Sequence, residues 1–270
     1  MTAKKSVLFV SHGGGPLPLL GDPDHREMIE LLGRLGNQLP RPAAILWVSA
    51  HWEAAIATVT AAEEPTLLYD YYGFPEEAYS IEYPCPGSAE LSAAVTDVLQ
   101  QNGLAVENDK VRGLDHGVFV PAKLLYPDAD IPCVQLSLLK GLDPAAHIRL
   151  GAALAQLDVD NILVVGSGFS FHNLKAFFAP PSARDRELNL NFENWLQQTL
   201  TSNALSENER RTRLLEWEQA PGARFCHPRE EHLLPVHVCY GLAGRPCSEH
   251  FHIDILGKSA SYFYWEAESA

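Results

Sequence analysis

Short apolar runs alternate with amphipathic stretches along this 270-residue chain. Segments 6–10, 43–48, 56–60, 131–138 and 161–165 are rich in apolar and β-branched residues and alternate little, as strands buried on both faces of a sheet do. Between them lie helical patterns. Leu31, Leu32 and Leu35 share one face of 24–39, which Asp22 or Asp24 is placed to cap, and Leu91, Val95 and Leu99 share one face of 88–101. Asp143-Pro144 opens a further helix that reaches about Leu157. Segments 184–198 and 207–218 read as polar outer helices, and 250–255 and 261–265 as two strands that finish the sheet. The repeating order predicts an α/β fold: a single domain over 1–270, with a central, mostly parallel mixed sheet flanked by helices.

Composition narrows the function classes. Hydrophobic residues make up 46 % and charged residues 20 %, the balance of a folded globular protein. A formal charge of −14, with no basic stripe, argues against nucleic acid as a partner. No apolar run approaches the roughly 18 to 20 residues of a membrane helix. Residues 1–5 lead straight into a strand with no signal-like segment, so a cytoplasmic protein is expected. Cys85, Cys133, Cys226, Cys239 and Cys247 contain no Cys-x-x-Cys pair and read as reduced, buried thiols, with Cys226 set apart by its neighbour His227.

The chemistry lies in the histidines. Two predicted strands end at imidazoles: 6–10 leads into Ser11-His12-Gly13-Gly14-Gly15-Pro16, and 43–48 into Ser49-Ala50-His51-Trp52. A third, 161–165, is followed by Gly166-Ser167-Gly168 and then His172. Ligand sites of α/β proteins gather at the carboxyl ends of parallel strands, so these imidazoles should converge at one sheet edge and suggest a metal site there. The glycine loop at His12 lacks the Lys and Ser/Thr of a phosphate-binding loop. In His227-Pro228-Arg229-Glu230-Glu231-His232, Pro228 is placed to start a helix, and His232 or one of the carboxylates is a candidate third ligand. His237 falls on another face and reads as structural; His25, His147, His250 and His252 have no special setting.

Taken together, Ser-His-Gly at His12, Ser-Ala-His-Trp at His51, Leu-Asp-His-Gly at His116, His-Asn-Leu at His172 and Pro-Arg-Glu-Glu-His-Leu-Leu-Pro around His232 resemble the class III extradiol ring-cleavage dioxygenases. The resemblance is greatest to the branch with the plant and bacterial 4,5-DOPA dioxygenases, and it runs from residue 11 to 235. It implies a non-haem Fe(II) enzyme that opens a catechol (DOPA-like) ring beside its two hydroxyls with O₂, in a site that zinc can also occupy. His12, His51 and His232 correspond to metal ligands. His172 corresponds to the acid/base histidine, which also serves as a fourth ligand when substrate is absent, and His116 to a histidine facing substrate and oxygen. Two departures stand out: a histidine, with Glu231 beside it, replaces the carboxylate of the common two-histidine, one-carboxylate triad, and the loop after His12 carries an extra glycine.

This chemistry suits the residue types. A catechol binding through both oxygens must lose a proton, which a divalent cation favours, and histidine with an unperturbed pKa of about 6.5 can take and return it. Asp115 is placed to orient His116, and Asn173 to fix the backbone after His172. The segment 66–86, with six Tyr and Phe rings and three prolines, is either a cover over the site or a rigid meander packed by its own rings; Tyr69, Tyr71, Tyr72 and Phe74 are candidates to stack on an aromatic substrate. Lys123, Arg149 and Lys175 are candidate cationic anchors. A zinc hydrolase, a tetrapyrrole metal chelatase and a noncatalytic interaction protein are the competing readings.

Overall fold

The computed structural model describes residues 5–180 and 182–267; the expected leaderless start at 1–4 and the last three positions of the 1–270 assignment lie outside them. Eight strands are β1 (Lys5–Ser11), β2 (Ala44–Ala54), β3 (Ala57–Thr60), β4 (Val106–Asp109), β5 (Cys133–Leu139), β6 (Ile162–Gly168), β7 (Glu249–Ile255) and β8 (Lys258–Trp265). Among the described residues the helices are α1 (Arg26–Gln38), α2 (Ala89–Gln101), α3 (His116–Leu125), α4 (Pro144–Leu154), α5 (Leu174–Phe178), α6 (Ala183–Thr201), α7 (Glu207–Leu215), α8 (Ala223–Cys226) and α9 (Leu234–Ala243). None of them is long and apolar enough to cross a membrane.

The strands form one mixed sheet in the order β4-β3-β5-β2-β6-β1-β8-β7. Its centre, β5-β2-β6-β1, is parallel, and β8 and β7 close one edge antiparallel. The single α/β domain with a mostly parallel mixed sheet is therefore the architecture the hydrophobic pattern predicts. The central strands do not alternate because helices cover them: α9 packs on β6, β1 and β2 with α4 against it, while α3 packs on β2 and β6 with α1 against it. Val7 to Val10, Ile45 to Val48 and Val164 to Val165 are all at most 1 % exposed.

Several boundaries differ from the sequence reading. β2 does not stop at Val48 but runs on to Ala54, so His51 lies within the strand. Val48 pairs with Leu136 and Glu53 with Leu138, which places a bulge across the segment carrying His51. Bulges re-aim side chains, and here the bulge turns an imidazole toward the sheet edge. Helix 24–39 begins instead as a 3-10 turn, Pro23–His25, and Asp22 makes no capping bond; its carboxylate goes to His25 Nδ1 at 2.6 Å. Asp143 does cap α4, accepting from Ala145 and Ala146, and Ser88 caps α2. Pro228 starts no helix; the helix begins at Leu234, with Pro235 in its first turn. The sequence pattern does not reveal α9, because nearly every residue from Leu234 to Leu242 is buried and no polar face breaks the run.

Helix α6 buries Glu193 against β8, where one carboxylate oxygen accepts from the Ser261 hydroxyl and the other has no partner. Burial pushes this carboxyl up to about 7, although hydrogen bonds from Ser261 and Ser170 oppose the shift. The folded pKa lies above the unfolded one, so this group favours folding at low pH, and that contribution is lost as pH rises from about 4.5 through about 7. Glu193→Gln keeps an acceptor for Ser261 and cannot ionise. Relative to the wild type it should gain on the order of 2 to 3 kcal/mol between pH 5 and pH 8.5 in urea unfolding; an equal offset at both pH values would contradict this.

Candidate metal centre

Strands β2, β6 and β1 are neighbours, and their register aligns Ser49 with Ser167 and Ser11 with Gly168 at the carboxyl ends. His12 follows β1 directly, its N–H donating to Gly168 O at 2.9 Å. His232 arrives from the far end of the chain, on the turn before α9, where its carbonyl accepts from Phe169 N–H at 3.0 Å. That approach depends on Gly168, since a Cβ there would lie 2.1 Å from the His232 carbonyl oxygen. His116 is the first residue of α3, and His172 follows β6 with its N–H on Cys226 O at 2.9 Å.

These elements bring five imidazoles together. His51 Nε2 lies 3.0 Å from His12 Nε2 and 3.3 Å from His232 Nε2. The His116 ring sits 3.9 Å from that of His51, and the His172 ring is stacked 3.4 Å from that of His232. His12, His51 and His116 form one group able to hold a metal ion, and His172, Glu231 and His232 another. Imidazole nitrogens bound about 2.0 to 2.1 Å from one ion stand roughly 3 to 3.4 Å apart, the distance at which His51 Nε2 stands from His12 Nε2 and from His232 Nε2 here.

On the opposite side of each ring, Nδ1 faces an oxygen. The Ser167 hydroxyl donates to the Gly117 carbonyl, which leaves its oxygen to accept from His12 Nδ1–H at 3.0 Å. Glu231 Oε1 accepts from His232 Nδ1–H at 2.9 Å and pairs with His172 Nδ1 at 3.1 Å. Asp70 Oδ1 accepts from His116 Nδ1–H at 2.7 Å, while Asp70 Oδ2 stands 3.6 Å from His51 Nδ1. The hydrogen bonds at His12, His232 and His116 fix the Nδ1–H tautomer of those rings and leave Nε2 with its lone pair, the form a metal ligand takes.

The electrostatics agree. Burial, then the neighbouring imidazoles, hold His12 and His51 well below the usual histidine range, and burial takes His232 down to about 3. All three are neutral near pH 7, the ligating form. Burial would raise Glu231, but the hydrogen bonds from His172 and His232 outweigh it and keep the carboxylate ionised. Asp70 behaves likewise, through its bonds from His116.

Glu231 therefore turns its carboxylate to the Nδ1 side, and the atom it leaves facing His51 is His232 Nε2. Asp115 does not orient His116. It is fully buried, accepting from Ser49 Oγ at 2.7 Å and Gln135 Nε2 at 2.5 Å beside Arg112, and burial raises its pKa. Asp70 orients His116 instead, and it also accepts from His116 N–H at 3.0 Å at the start of α3. The sequence marked Asp70 only as the acidic residue between Tyr69 and Tyr71 in an aromatic loop. Asn173 acts as expected, accepting from Ala176 N–H and donating to Phe225 O.

The 66–86 segment lies partly over the site: Tyr71 meets the His116 ring edge-on at 5.8 Å, and Phe74 packs on Tyr71 at 5.4 Å and near Gly15. Tyr72 is 91 % exposed. Lys123 donates to Glu82 O, and Arg149 and Lys175 are exposed on α4 and α5. Four other histidines serve the scaffold. His25 accepts from Gly14 N–H beneath the glycine loop, His147 from Leu139 N–H, and His227 and His237 bond backbone carbonyls. Burial raises the Cys226 thiol, which suits packing rather than reactivity.

Comparison with known proteins agrees with this geometry. The family described as the catalytic LigB subunit of aromatic ring-opening dioxygenase matches residues 8–264. The dioxygenase tasH of Hapsidospora irregularis is 40 % identical, over 96 % of this chain and 85 % of its own. The 4,5-DOPA dioxygenase extradiol of Beta vulgaris is 37 % identical over 89 % and 87 %, and that of Escherichia coli K12 33 % over 87 % and 84 %. A crystal structure of an uncharacterized protein from Escherichia coli K12 superimposes with a TM-score of 0.75 at 28 % identity, covering 96 % of this chain and 99 % of that one. The chain belongs to the LigB family of aromatic ring-opening dioxygenases, a metal-dependent class of oxidoreductase.

The Ser167 relay is directly testable. Ser167→Ala leaves both His12 Nδ1–H and the Gly117 carbonyl buried without this partner, so urea unfolding should show a loss of about 1 to 3 kcal/mol. A change under about 0.5 kcal/mol would mean that the hydroxyl does not hold His12.

Proposed function

We propose that this protein is a non-haem Fe(II) dioxygenase that inserts both atoms of O₂ into a catechol and opens the ring outside its two hydroxyls. Residues 1–270 form one catalytic domain in this reading. The observation that carries it is the meeting of three Nε2 atoms, 3.0 and 3.3 Å apart, with two further imidazoles against them. His12, His51 and His232 are assigned as the metal ligands and His172 as a fourth when no substrate is present. The DOPA dioxygenase relatives favour a small DOPA-like catechol as substrate.

Bound there, iron would acidify the catechol hydroxyls and exchange electrons with O₂. The protein's own groups do the rest. His172, with Nδ1 held by Glu231, presents Nε2 as the base that takes a hydroxyl proton and later returns it. His116, fixed through Nδ1 by Asp70, turns its other nitrogen to the substrate side, where that nitrogen steadies developing negative charge once it has taken up a proton. Tyr71 and Phe74 give an aromatic ring a matching wall. Three neutral imidazoles also suit zinc, so the same donor set would serve a zinc hydrolase; oxygen consumption separates the two. We place the protein in the cytoplasm, in keeping with its free cysteines, and expect neither nucleic acid nor membrane as a partner, in keeping with its charge of −14.

Metal-free protein loaded anaerobically with Fe(II) and given DOPA, protocatechuate and simpler catechols should take up O₂ one-for-one with a yellow ring-opened product. His172→Ala should lower the rate by about 10² to 10⁴ with Fe(II) still bound. No uptake with any catechol, in protein shown to hold Fe(II), would refute the reading.

A further inference from the structure

Two carboxylates divide four of the five imidazoles between them, and Ser167 holds the fifth, His12. Glu231 meets His232 and His172, and Asp70 meets His51 and His116, so each joins one assigned ligand to one assigned proton-handling histidine. The two pairs differ in one respect. Glu231 uses the single oxygen Oε1 for both rings, whereas Asp70 uses Oδ1 for His116 and Oδ2 for His51.

We infer that Asp70 is a positioning residue that sets the tautomer of His51: the charge on its Oδ2, 3.6 Å away and longer than a hydrogen bond, draws the ring proton to His51 Nδ1 and so keeps Nε2 free for the metal. This rests on the metal-site reading above. The Asp70 side chain is 18 % exposed, and among the described residues its Oδ2 is the ion-pair partner of His51 Nδ1, which has no hydrogen bond of its own there. Asp70 also belongs to the aromatic 66–86 segment, so the same carboxylate ties that cover to the metal site.

The geometry makes the amide variant more damaging than outright removal. In Asp70→Asn the amide oxygen stays with the two N–H groups of His116, N and Nδ1, which donate to Oδ1 at 3.0 and 2.7 Å. The NH₂ then takes the place of Oδ2 and turns a donor toward His51 Nδ1, which favours the ring proton on Nε2, where it blocks ligation. Asp70→Ala removes the same charge but leaves His51 free to take either tautomer. If Asp70 served only as structural support, the order would be the reverse, because Asn keeps the bonds to α3 and Ala loses them.

The test is a Co(II) titration of the metal-free wild type, Asp70→Asn and Asp70→Ala, followed by visible absorption, with thermal unfolding alongside. The account predicts that Asn binds Co(II) about 10- to 100-fold more weakly than the wild type, the usual scale for loss of a ligand's outer partner. Ala should lie between the two, and Asn should unfold near the wild-type temperature. Asn binding as tightly as the wild type, or more tightly than Ala, would overturn the inference. A wild type that takes up no Co(II) would instead overturn the metal-site reading beneath it.

Discussion

Five imidazoles can crowd around one point only because the outward side of each ring faces an oxygen. A buried ring nitrogen without a partner costs free energy, and two N–H groups pointed at each other would cost more. Ser167, Glu231 and Asp70 remove that conflict by taking the protons on the Nδ1 side. In the proposed site what remains inside is a set of lone pairs on His12, His51 and His232, with His51 Nε2 3.0 and 3.3 Å from the other two, on rings that burial keeps neutral. Such a set favours a cation over water or an apolar group.

The fold supplies this arrangement through backbone features. Parallel strands β1 and β6 end at one level, with Ser49 of β2 in register beside them, and the carboxyl end of such strands is where an α/β sheet takes its ligands. The bulge in β2 turns His51 in, and the bare Gly168 lets the His232 carbonyl reach the end of β6. The Asp22–His25 pair holds the glycine loop after His12 from below, with His25 Nε2 accepting from Gly14 N–H. Residues far apart in the chain are thus positioned by short-range contacts at a single sheet edge.

Much of this is legible in the sequence. Non-alternating β-branched runs marked the central strands, because burial on both faces removes the polar alternation. His12, His51, His172 and His232 were visible as imidazoles next to strands or in a His/Glu stretch, and the structure brings them together. The errors have physical causes. A bulge leaves no periodic trace, so the hydrophobic pattern ends β2 at Val48, before His51, whereas the strand runs to Ala54. Helix α9 is buried all round and carries no amphipathic signal. Asp115 stood next to His116 in sequence, but the carboxylate that reaches its ring is Asp70, brought in by a loop whose path is set by tertiary packing. Asp115 instead serves a buried network with Ser49 and Gln135.

The central claim is that three Nε2 atoms form the metal site and that Glu231 stays outside it. X-ray absorption on the metal-loaded protein tests it most directly. The account predicts multiple scattering from three or four imidazoles, at about 2.0 to 2.2 Å, and no sulfur. A spectrum fitted by at most two imidazoles, with a carboxylate making up the set, would place Glu231 on the metal and contradict it.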